Sequence, residues 1–177
     1  MKKELSIEEE FEQLSKPKKK RINSKKKGNA AELQLSKILN NRFGEKKFSR
    51  SVMSGAYLGA GNFIRAAGLT EEQQSVFIGD IITPVNFKFV IEHKAYNEAD
   101  FWDLFNASAP INEWIKQVST DAERAHKKPM LIVKYNNKKR IVYIKEKVEN
   151  YIFEYKGWYC FWLEDILGLE DDFFYSK

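Results

Sequence analysis

Two hydrophobic periods alternate along this chain, and each predicts one kind of element. Apolar positions at helical spacing predict helices over about 24–41 and 112–126. Short apolar runs predict strands at about 48–52, 76–82, 86–95, 130–135, 140–145 and 151–163. The acidic end of the chain is expected to close with a short helix. This order predicts an α/β fold, in which a central mixed sheet of four to six strands has helices on its faces.

Each predicted helix has one apolar face, and the segment after the first strand is rich in glycine. The face of the first helix is expected to contain Leu33, Leu35, Ile38 and Leu39. The face of the second is expected to contain Trp114, Ile115, Val118, Ala122 and Ala125. Residues 53–75 are expected to form a long loop, which in a compact domain is usually functional or disordered. Its glycines lack the Gly-Lys-Ser/Thr sequence of a P-loop, which argues against nucleotide binding.

Residues 1–23 are predicted to form a basic arm with a short helix, ahead of a single domain over residues 24–177. The segment 16–27 contains no acid and carries eight cations: Lys16, Lys18, Lys19, Lys20, Arg21, Lys25, Lys26 and Lys27. Two interpretations of this cluster stay open. It is a solvated linker, or it is an arm that lies on a phosphate backbone, in which case binding would depend strongly on salt.

Composition narrows the classes of protein that this chain can be. With 177 residues, 43% of them hydrophobic, the chain can bury a substantial core. The net charge of +5 permits binding to a polyanion. No apolar stretch approaches the ~18 residues of a membrane span, so no membrane partner is expected. The single cysteine, Cys160, excludes an internal disulfide framework and predicts a reducing, cytoplasmic location.

Acidic side chains at the ends of two predicted strands are the strongest chemical signal. Asp80 ends one apolar run, and Glu92-His93-Lys94 ends the next. Because alternate residues of a strand share a face, Glu92 and Lys94 are expected to point together, while His93 packs on the other side. A tight connection at 83–86 would bring Asp80 beside Glu92. Two carboxylates and one amine would then converge where a divalent metal can be held, a water positioned and a phosphodiester cut.

The same residues also have duller interpretations. An aspartate after a glycine is often only a turn residue, and Glu92 with Lys94 also fits a cross-strand ion pair. Other kinds of site have less support. Two histidines and one cysteine cannot form a His/Cys zinc site. Neither His93 nor His126 has a nucleophile motif nearby, so a hydrolase triad is unsupported.

Further polar residues accompany the two strand ends. Glu32 is an acid among small residues on the first helix, or an ordinary surface glutamate. Arg50 could hold a phosphate and Ser54 could donate to one, although loop residues of these types are common. Gln117 lies either on the helix edge nearest the predicted metal site or toward solvent.

In this order, the motifs resemble the PD-(D/E)XK nucleases, and within them the archaeal and phage-type Holliday junction resolvases. The similarity covers about residues 24–146. It rests on Gly28 and Glu32, Arg50 with Ser54-Gly55, Gly79-Asp80, Ile91-Glu92-His93-Lys94 and the predicted strand at 129–134. The resemblance implies a restriction-endonuclease-like core.

The resemblance also implies a role for each matching residue. Glu32, Asp80 and Glu92 would bind the metal, and the backbone carbonyl of His93 could add an oxygen. Lys94 would be catalytic, and Ser54 would lie in a mobile catalytic loop. The cofactor is expected to be Mg²⁺, with Mn²⁺ as a substitute.

The activity that the resemblance implies is a metal-dependent DNA endonuclease specific for branched DNA, with Holliday junction resolution first, in a bacterial or phage-infected cell. Two symmetric cuts imply a homodimer, whose interface would use the aromatic surface around Trp102, Trp114 or Trp158. Contacts with DNA are expected from Arg50, Gln117, Arg65, Lys18, Lys19, Lys20, Arg21, Lys25, Lys26 and Lys27.

Two departures from the family pattern leave the substrate open. Gly79 stands where a proline often precedes the first acid, and the 24 residues between Gly55 and Asp80 exceed the spacing of the smallest resolvases. A longer loop could recognise a branch, a flap or a specific sequence. Two alternatives therefore remain: a restriction or repair nuclease of the same fold, and a nucleic-acid-binding protein without catalysis. The intact set of acids with Lys94 argues against the second.

Overall fold

The computed structural model describes residues 24–44, 47–51, 70, 78–98, 106 and 109–176. The elements along them are α1 (Ser24–Phe43), β1 (Ser49–Arg50), β2 (Ile81–Ile82), β3 (Phe89–Tyr96), α2 (Pro110–Arg124), β4 (Lys128–Tyr135), β5 (Arg140–Ile144), β6 (Phe153–Tyr155), β7 (Trp158–Trp162), α3 (Leu163–Leu167) and α4 (Asp171–Phe174). The described strands form one sheet in the order β1-β2-β3-β4-β5-β7-β6. Neighbouring strands are antiparallel, except that β3 and β4 are parallel and are connected through α2. The predicted mixed α/β sheet is confirmed.

Helices cover both faces of the sheet, and the alternation along β3 divides its side chains between them. Phe89 and Ile91 point to the face that packs against α1, α3 and α4. Val90 points to the other face and packs against Ala122 and Ala125 at the end of α2. Because side chains alternate, Glu92 and Lys94 share the α2 face with Val90. The sheet therefore presents the two charged residues toward α2.

The predicted helix boundaries agree with the structure to within about two residues, for local reasons. Helix α2 begins at Pro110, whose fixed φ and missing N–H suit a first helical position. It ends before His126, whose φ of +51° is incompatible with a continuing helix. The end of the chain closes with two short helices, α3 and α4, in place of the single helix that the sequence predicts.

Three predictions about strands are wrong in detail. The sheet has seven described strands, above the four to six expected, because the segment 151–163 forms a hairpin. Lys156 and Gly157 both have positive φ and turn the chain between β6 and β7. The strands β1 and β2 are only two residues each, and β3 begins at Phe89. Of the second predicted strand, residues 76 and 77 lie outside the described residues.

Burial corrects two further expectations. Leu33 is 50% exposed, so the apolar face of α1 consists of Leu35, Ile38 and Leu39 without it. Trp114 and Trp158 are buried in the core between the sheet and α2, so neither indole provides an exposed dimer surface. Trp102, the third candidate, lies outside the described residues, as does the arm at 1–23. Within the described residues, no helix is both long enough and apolar enough to span a bilayer.

Candidate active site

Glu92 and Lys94 project side by side from β3 and meet one side chain of α2. Glu92 is buried, with 1% of its surface exposed, while the side chain of Lys94 is 23% exposed. Lys94 Nζ donates to Glu92 Oε1 at 2.5 Å, and Gln117 Nε2 donates to the same oxygen at 2.6 Å. Lys94 Nζ also lies 3.1 Å from Gln117 Oε1. The three side chains thus form a closed hydrogen-bonded triangle.

Asp80 is fastened to β3 by its backbone and by its side chain. Its N–H donates to the carbonyl oxygen of Ile91 at 2.9 Å, and its Oδ2 accepts from the N–H of His93 at 2.9 Å. The carbonyl oxygen of Asp80 in turn accepts from the N–H of Ser51, at the end of β1. As expected, Asp80 lies beside Glu92.

Gly79 is required by the way in which the chain approaches Asp80. Its φ is +90°, a value that the ring of proline excludes. A Cβ at this position would lie 2.8 Å from the carbonyl oxygen of Ile91 and 2.9 Å from Cγ1 of Val90. A glycine at this position, where the nucleases that the chain resembles often have a proline, therefore lets the backbone pass close to β3.

Glu32 and Arg50 pair with each other at the edge of the same site. Arg50 Nε donates to Glu32 Oε2 at 2.6 Å, and its second guanidinium nitrogen donates to Asn29 Oδ1 at 2.7 Å. Burial raises the pKa of Glu32, the Asp80 carboxylate raises it further, and Arg50 and Lys94 oppose both effects. The pKa of Glu32 therefore depends on the charges of Asp80 and Lys94, which lie on other segments of the chain.

The electrostatics of Glu92 shows how closely the acids approach each other. Burial raises the pKa of Glu92 to about 8, and the nearby Asp80 carboxyl adds to this rise. Lys94 opposes this rise. Burial lowers the pKa of Lys94, but the charge and hydrogen bond of Glu92, with Asp80 and Glu32, outweigh burial, so the net shift is upward. Lys94 is therefore held as a cation among three carboxyl groups.

A divalent cation fits this donor set. In the described residues no three acidic, histidine or cysteine side chains are already arranged around a metal position, because Glu92 is engaged by Lys94, and Glu32 by Arg50. The carboxyl oxygens are nevertheless the hard ligands that Mg²⁺ prefers. A cation between Asp80 and Glu92 would remove the repulsion that raises the pKa of Glu92. In a strand, the N–H and the C=O of one residue point to the same edge. The His93 N–H donates to Asp80, so the His93 carbonyl also points to the edge of β3 that faces Asp80.

The imidazole of His93 lies on the other face of the sheet, as expected. His93 is 4% exposed, and neither ring nitrogen has a hydrogen-bond partner within the described residues. Burial lowers its pKa to about 4, with Arg140 and Lys94 adding to the effect. A neutral, packed side chain at this position takes no part in the site.

The residues predicted to contact DNA are only partly described. Lys27 lies at the start of α1 and donates to Asn97 Oδ1 at 2.5 Å, just beyond β3. Gln117, one of these predicted contacts, is exposed but directs its amide to Glu92 and Lys94. Lys26 is exposed at the start of α1. The remaining predicted side chains lie outside the described part: Lys18, Lys19, Lys20, Arg21, Lys25, Ser54 and Arg65.

Sequence reasoning missed two residues that act on the site. Asn29 holds the guanidinium of Arg50 from one turn before Glu32. Asp121 lies one turn after Gln117 on α2, and its pKa is raised by burial, with a contribution from Asp80. The spacing of four residues from Gln117 was the available signal, because residues i and i+4 share a helix face.

One comparison with known proteins gives a match. The model of a family described as phage putative PDDEXK endonuclease matches residues 23–159 of the chain. No curated protein matches, and no solved structure does. The matched range begins just before α1 and includes Asp80, Glu92 and Lys94 together with all of β1 to β6 and the start of β7.

Proposed function

This chain belongs to the phage putative PDDEXK endonuclease family, and from that premise we propose that it is a Mg²⁺-dependent endonuclease that cuts branched DNA. Membership places it among the PD-(D/E)XK nucleases, whose substrates are nucleic acids. The α/β fold agrees with the restriction-endonuclease-like core of that superfamily. The choice of metal, the choice of DNA and the preference for a branch are the parts that we propose.

The observation that carries the proposal is the contact between Asp80 and Glu92. Two carboxyl groups from separate segments, one just before β2 and one on β3, lie close enough for Asp80 to add to the burial that raises the pKa of Glu92 to about 8, and an ammonium group is bonded to Glu92. Buried carboxyl groups that repel each other reduce stability unless a cation joins them. Lys94 pairs with Glu92 and Arg50 pairs with Glu32, so two structural ion pairs would need only two acids, whereas this site has Asp80 as a third. The excess of acid supports a metal site over a stabilising ion pair.

Asp80, Glu92, Glu32 and the carbonyl of His93 are the groups that would hold the cation. When bound, Mg²⁺ supplies neutralisation of charge on the phosphate and acidification of a water. Glu32 would first have to release Arg50, whose guanidinium would then be free to bind a phosphate oxygen. Arg50 and Glu32 would thus exchange partners when metal and DNA bind together.

Lys94 is suited to contact the scissile phosphate and to orient the attacking water. Because its carboxyl neighbours raise its pKa, it remains protonated near neutral pH and donates hydrogen bonds. Its amine is therefore a poor proton acceptor in the metal-free protein. Gln117 orients the ammonium group because its Oε1 accepts a hydrogen bond from Lys94 Nζ.

Several features support branched DNA as the substrate. The order of the motifs resembles that of Holliday junction resolvases, and the charge of +5 with the basic segment 16–27 suits a phosphate backbone. Resolution of a junction requires two symmetric cuts, so we propose a homodimer. Ser54, Arg65 and the lysines of the arm are proposed contacts for the DNA and the catalytic loop.

The test is a cleavage assay with the full chain on three DNAs of equal length: a four-way junction, a flap and a linear duplex. Each is incubated with Mg²⁺, with Mn²⁺ and with EDTA. The proposal predicts cutting of the junction or the flap before the duplex, and no cutting in EDTA. Preferential cutting of the duplex would instead indicate a restriction or repair nuclease. Tight binding of the junction with no cutting in either metal would indicate a binding protein without catalysis.

A further inference from the structure

Tyr96 continues the row of side chains that forms the candidate site. Glu92, Lys94 and Tyr96 alternate along β3 and therefore project from the same face. Glu92 is buried, Lys94 is partly exposed, and Tyr96 is 46% exposed. Residues two apart in a strand are separated by about 7 Å, roughly the rise of two stacked nucleotides of one DNA strand. An aromatic ring thus lies about two nucleotides from the ammonium group proposed to contact the scissile phosphate.

The ring of Tyr96 is supported from behind by the core. It packs against Trp114 of α2 with ring centroids 4.9 Å apart and an interplanar angle of 60°. Trp114 is buried, and Tyr135, the neighbour of Tyr96 across the parallel pair, packs against the same core cluster. The exposed ring is therefore supported by Trp114, and the strand that carries it is paired with β4.

One cation precedes this ring on the same face of β3: Lys94, two residues before it. Tyr151, another exposed tyrosine of the described residues, differs in its surroundings: it is 38% exposed, contacts Tyr159 and has Lys147 over its ring. A partly exposed ring two residues from an ammonium group, as at Tyr96, matches a nucleobase near a phosphate.

We propose that Tyr96 is a stacking platform for an unpaired base about two nucleotides from the scissile phosphate, which makes it a residue that determines substrate specificity. The proposal rests on the nuclease function proposed above and extends it. In a continuous duplex each base has neighbours on both faces and cannot stack on a protein ring. A base at a flap or at a branch point can leave the stack at smaller cost. The substrate class is therefore DNA with an unstacked nucleotide within about two nucleotides of the point of cleavage.

The experiment measures binding in EDTA, so that it does not depend on cleavage. The full chain is titrated into three fluorescent DNAs: a flap, the same flap with abasic residues in its single-stranded arm beside the branch point, and a linear duplex. The proteins are the wild type, Tyr96→Leu, Tyr96→Phe and the matched control Tyr151→Leu. Tyr151 precedes β6, four strands away from β3 in the sheet, and has comparable exposure. Thermal unfolding of each variant establishes that it is folded.

The expected result is specific to the base. Tyr96→Leu should weaken binding to the intact flap by about 5- to 150-fold, the range measured for loss of base–aromatic stacking. Its affinity for the abasic flap and for the duplex should remain within about twofold of wild type. Tyr96→Phe and Tyr151→Leu should bind all three DNAs like the wild type. An unchanged flap affinity for Tyr96→Leu, or an equal loss on all three DNAs, would overturn the proposal.

A second measurement requires no destabilising substitution. With 2-aminopurine at the first unpaired position of the flap, stacking on the ring should quench fluorescence when wild type or Tyr96→Phe binds. Absence of quenching with both proteins would overturn the proposal even if Tyr96→Leu failed to fold. A chain that shows the Tyr96 effect in EDTA but never cuts DNA would overturn the nuclease function alone.

Discussion

Gln117 Nε2 lies 2.6 Å from Glu92 Oε1, the oxygen that also accepts from Lys94. Because Gln117 Oε1 accepts from Lys94 as well, one amide on α2 orients both the acid and the amine of β3. Core packing fixes α2 against β3, so the amide is held at a constant distance from the strand. Gln117 is in a position to align the site without contacting DNA.

Replacing Gln117 by alanine should lower kcat by about 10- to 100-fold, the usual cost of losing a residue that orients a metal site. The KM for DNA should change little, because the observed contacts of Gln117 are with Glu92 and Lys94. The measurement is steady-state cleavage of the preferred DNA by wild type and variant. Glu113→Ala, an exposed change one turn earlier on α2, is the control. A rise in KM with unchanged kcat would instead assign Gln117 to DNA binding.

Asp80→Asn and Glu92→Gln should each abolish cleavage while DNA binding is kept. Each change removes a carboxyl group that would hold Mg²⁺. Asp80→Asn also removes a negative charge that repels phosphate, whereas burial keeps Glu92 largely protonated below its pKa of about 8, so affinity in EDTA should be above that of wild type for Asp80→Asn and equal to it for Glu92→Gln. Cleavage assays and fluorescence anisotropy on the same DNA measure both quantities. If either variant cuts at the wild-type rate, the assignment of that acid to the metal site is wrong.

The stability of the metal-free protein should fall as pH rises from about 4.5 to about 8, through the contribution of Glu92. Burial raises the folded-state pKa of Glu92 to about 8 from the ordinary 4.5, so the folded chain binds more protons than the unfolded chain in this window. Glu92→Gln remains neutral throughout. The free energy of unfolding of the variant minus that of wild type should therefore rise with pH up to about pH 8 and stay constant above it.

Urea denaturation in EDTA at intervals from pH 4 to pH 9 measures this difference. His93, whose pKa burial lowers to about 4, titrates in both proteins and largely cancels in the comparison. Lys94 has a raised pKa and titrates above the window. Adding Mg²⁺ at pH 8 should raise the free energy of unfolding of wild type more than that of the variant, because the ion binds the folded state and the variant lacks one of its proposed ligands. Parallel curves across the window would contradict the raised pKa that burial gives Glu92.

Gly79→Ala should destabilise the protein by about 2–5 kcal/mol, the sum of backbone strain at positive φ and overpacking against β3. The added methyl would meet the Ile91 carbonyl oxygen at 2.8 Å. Gly157→Ala is a matched control, because Gly157 has φ +77° but a Cβ added there would meet no atom within 4 Å. Its cost should be only about 1 kcal/mol. Urea denaturation compares the two, and equal losses would mean that close approach at Gly79 contributes nothing.

The contact between Asp80, Glu92 and Lys94 follows from sequence because it depends on short-range rules. Alternation along a strand places Glu92 and Lys94 together, and the tight connection at 83–86 brings Asp80 back beside them. The apolar runs predict Asp80 at the end of a strand, whereas it directly precedes β2, which begins at Ile81. The partners of Arg50 and Gln117 depend on how α1 and α2 pack on the sheet, which the local pattern does not specify. Sequence alone therefore predicts that Arg50 binds a phosphate, whereas in the structure Arg50 forms an ion pair with Glu32.

The remaining errors have similar physical causes. The many aromatic residues at 151–163 predict one strand and conceal the turn at Lys156 and Gly157, since only one glycine marks it. Leu33 is apolar but lies on the solvent side of α1, because positions 33 and 35 are about 200° apart around a helix. The sequence leaves Trp114 as a candidate for a surface contact, yet an amphipathic helix against a sheet buries its largest side chains first.

The hydrogen bond from the Ser51 N–H to the Asp80 carbonyl, 2.9 Å long, joins the two ends of the segment 52–79. The chain therefore departs and returns at one point, and the pairing of β2 with β3 holds the acid in place regardless of what lies between. Closing a longer excursion costs little more entropy than closing a shorter one. Residues 52–77 are thus a natural graft point, at which inserts of different length could be exchanged to retarget the enzyme, while Gly79 is retained and the acids keep their positions.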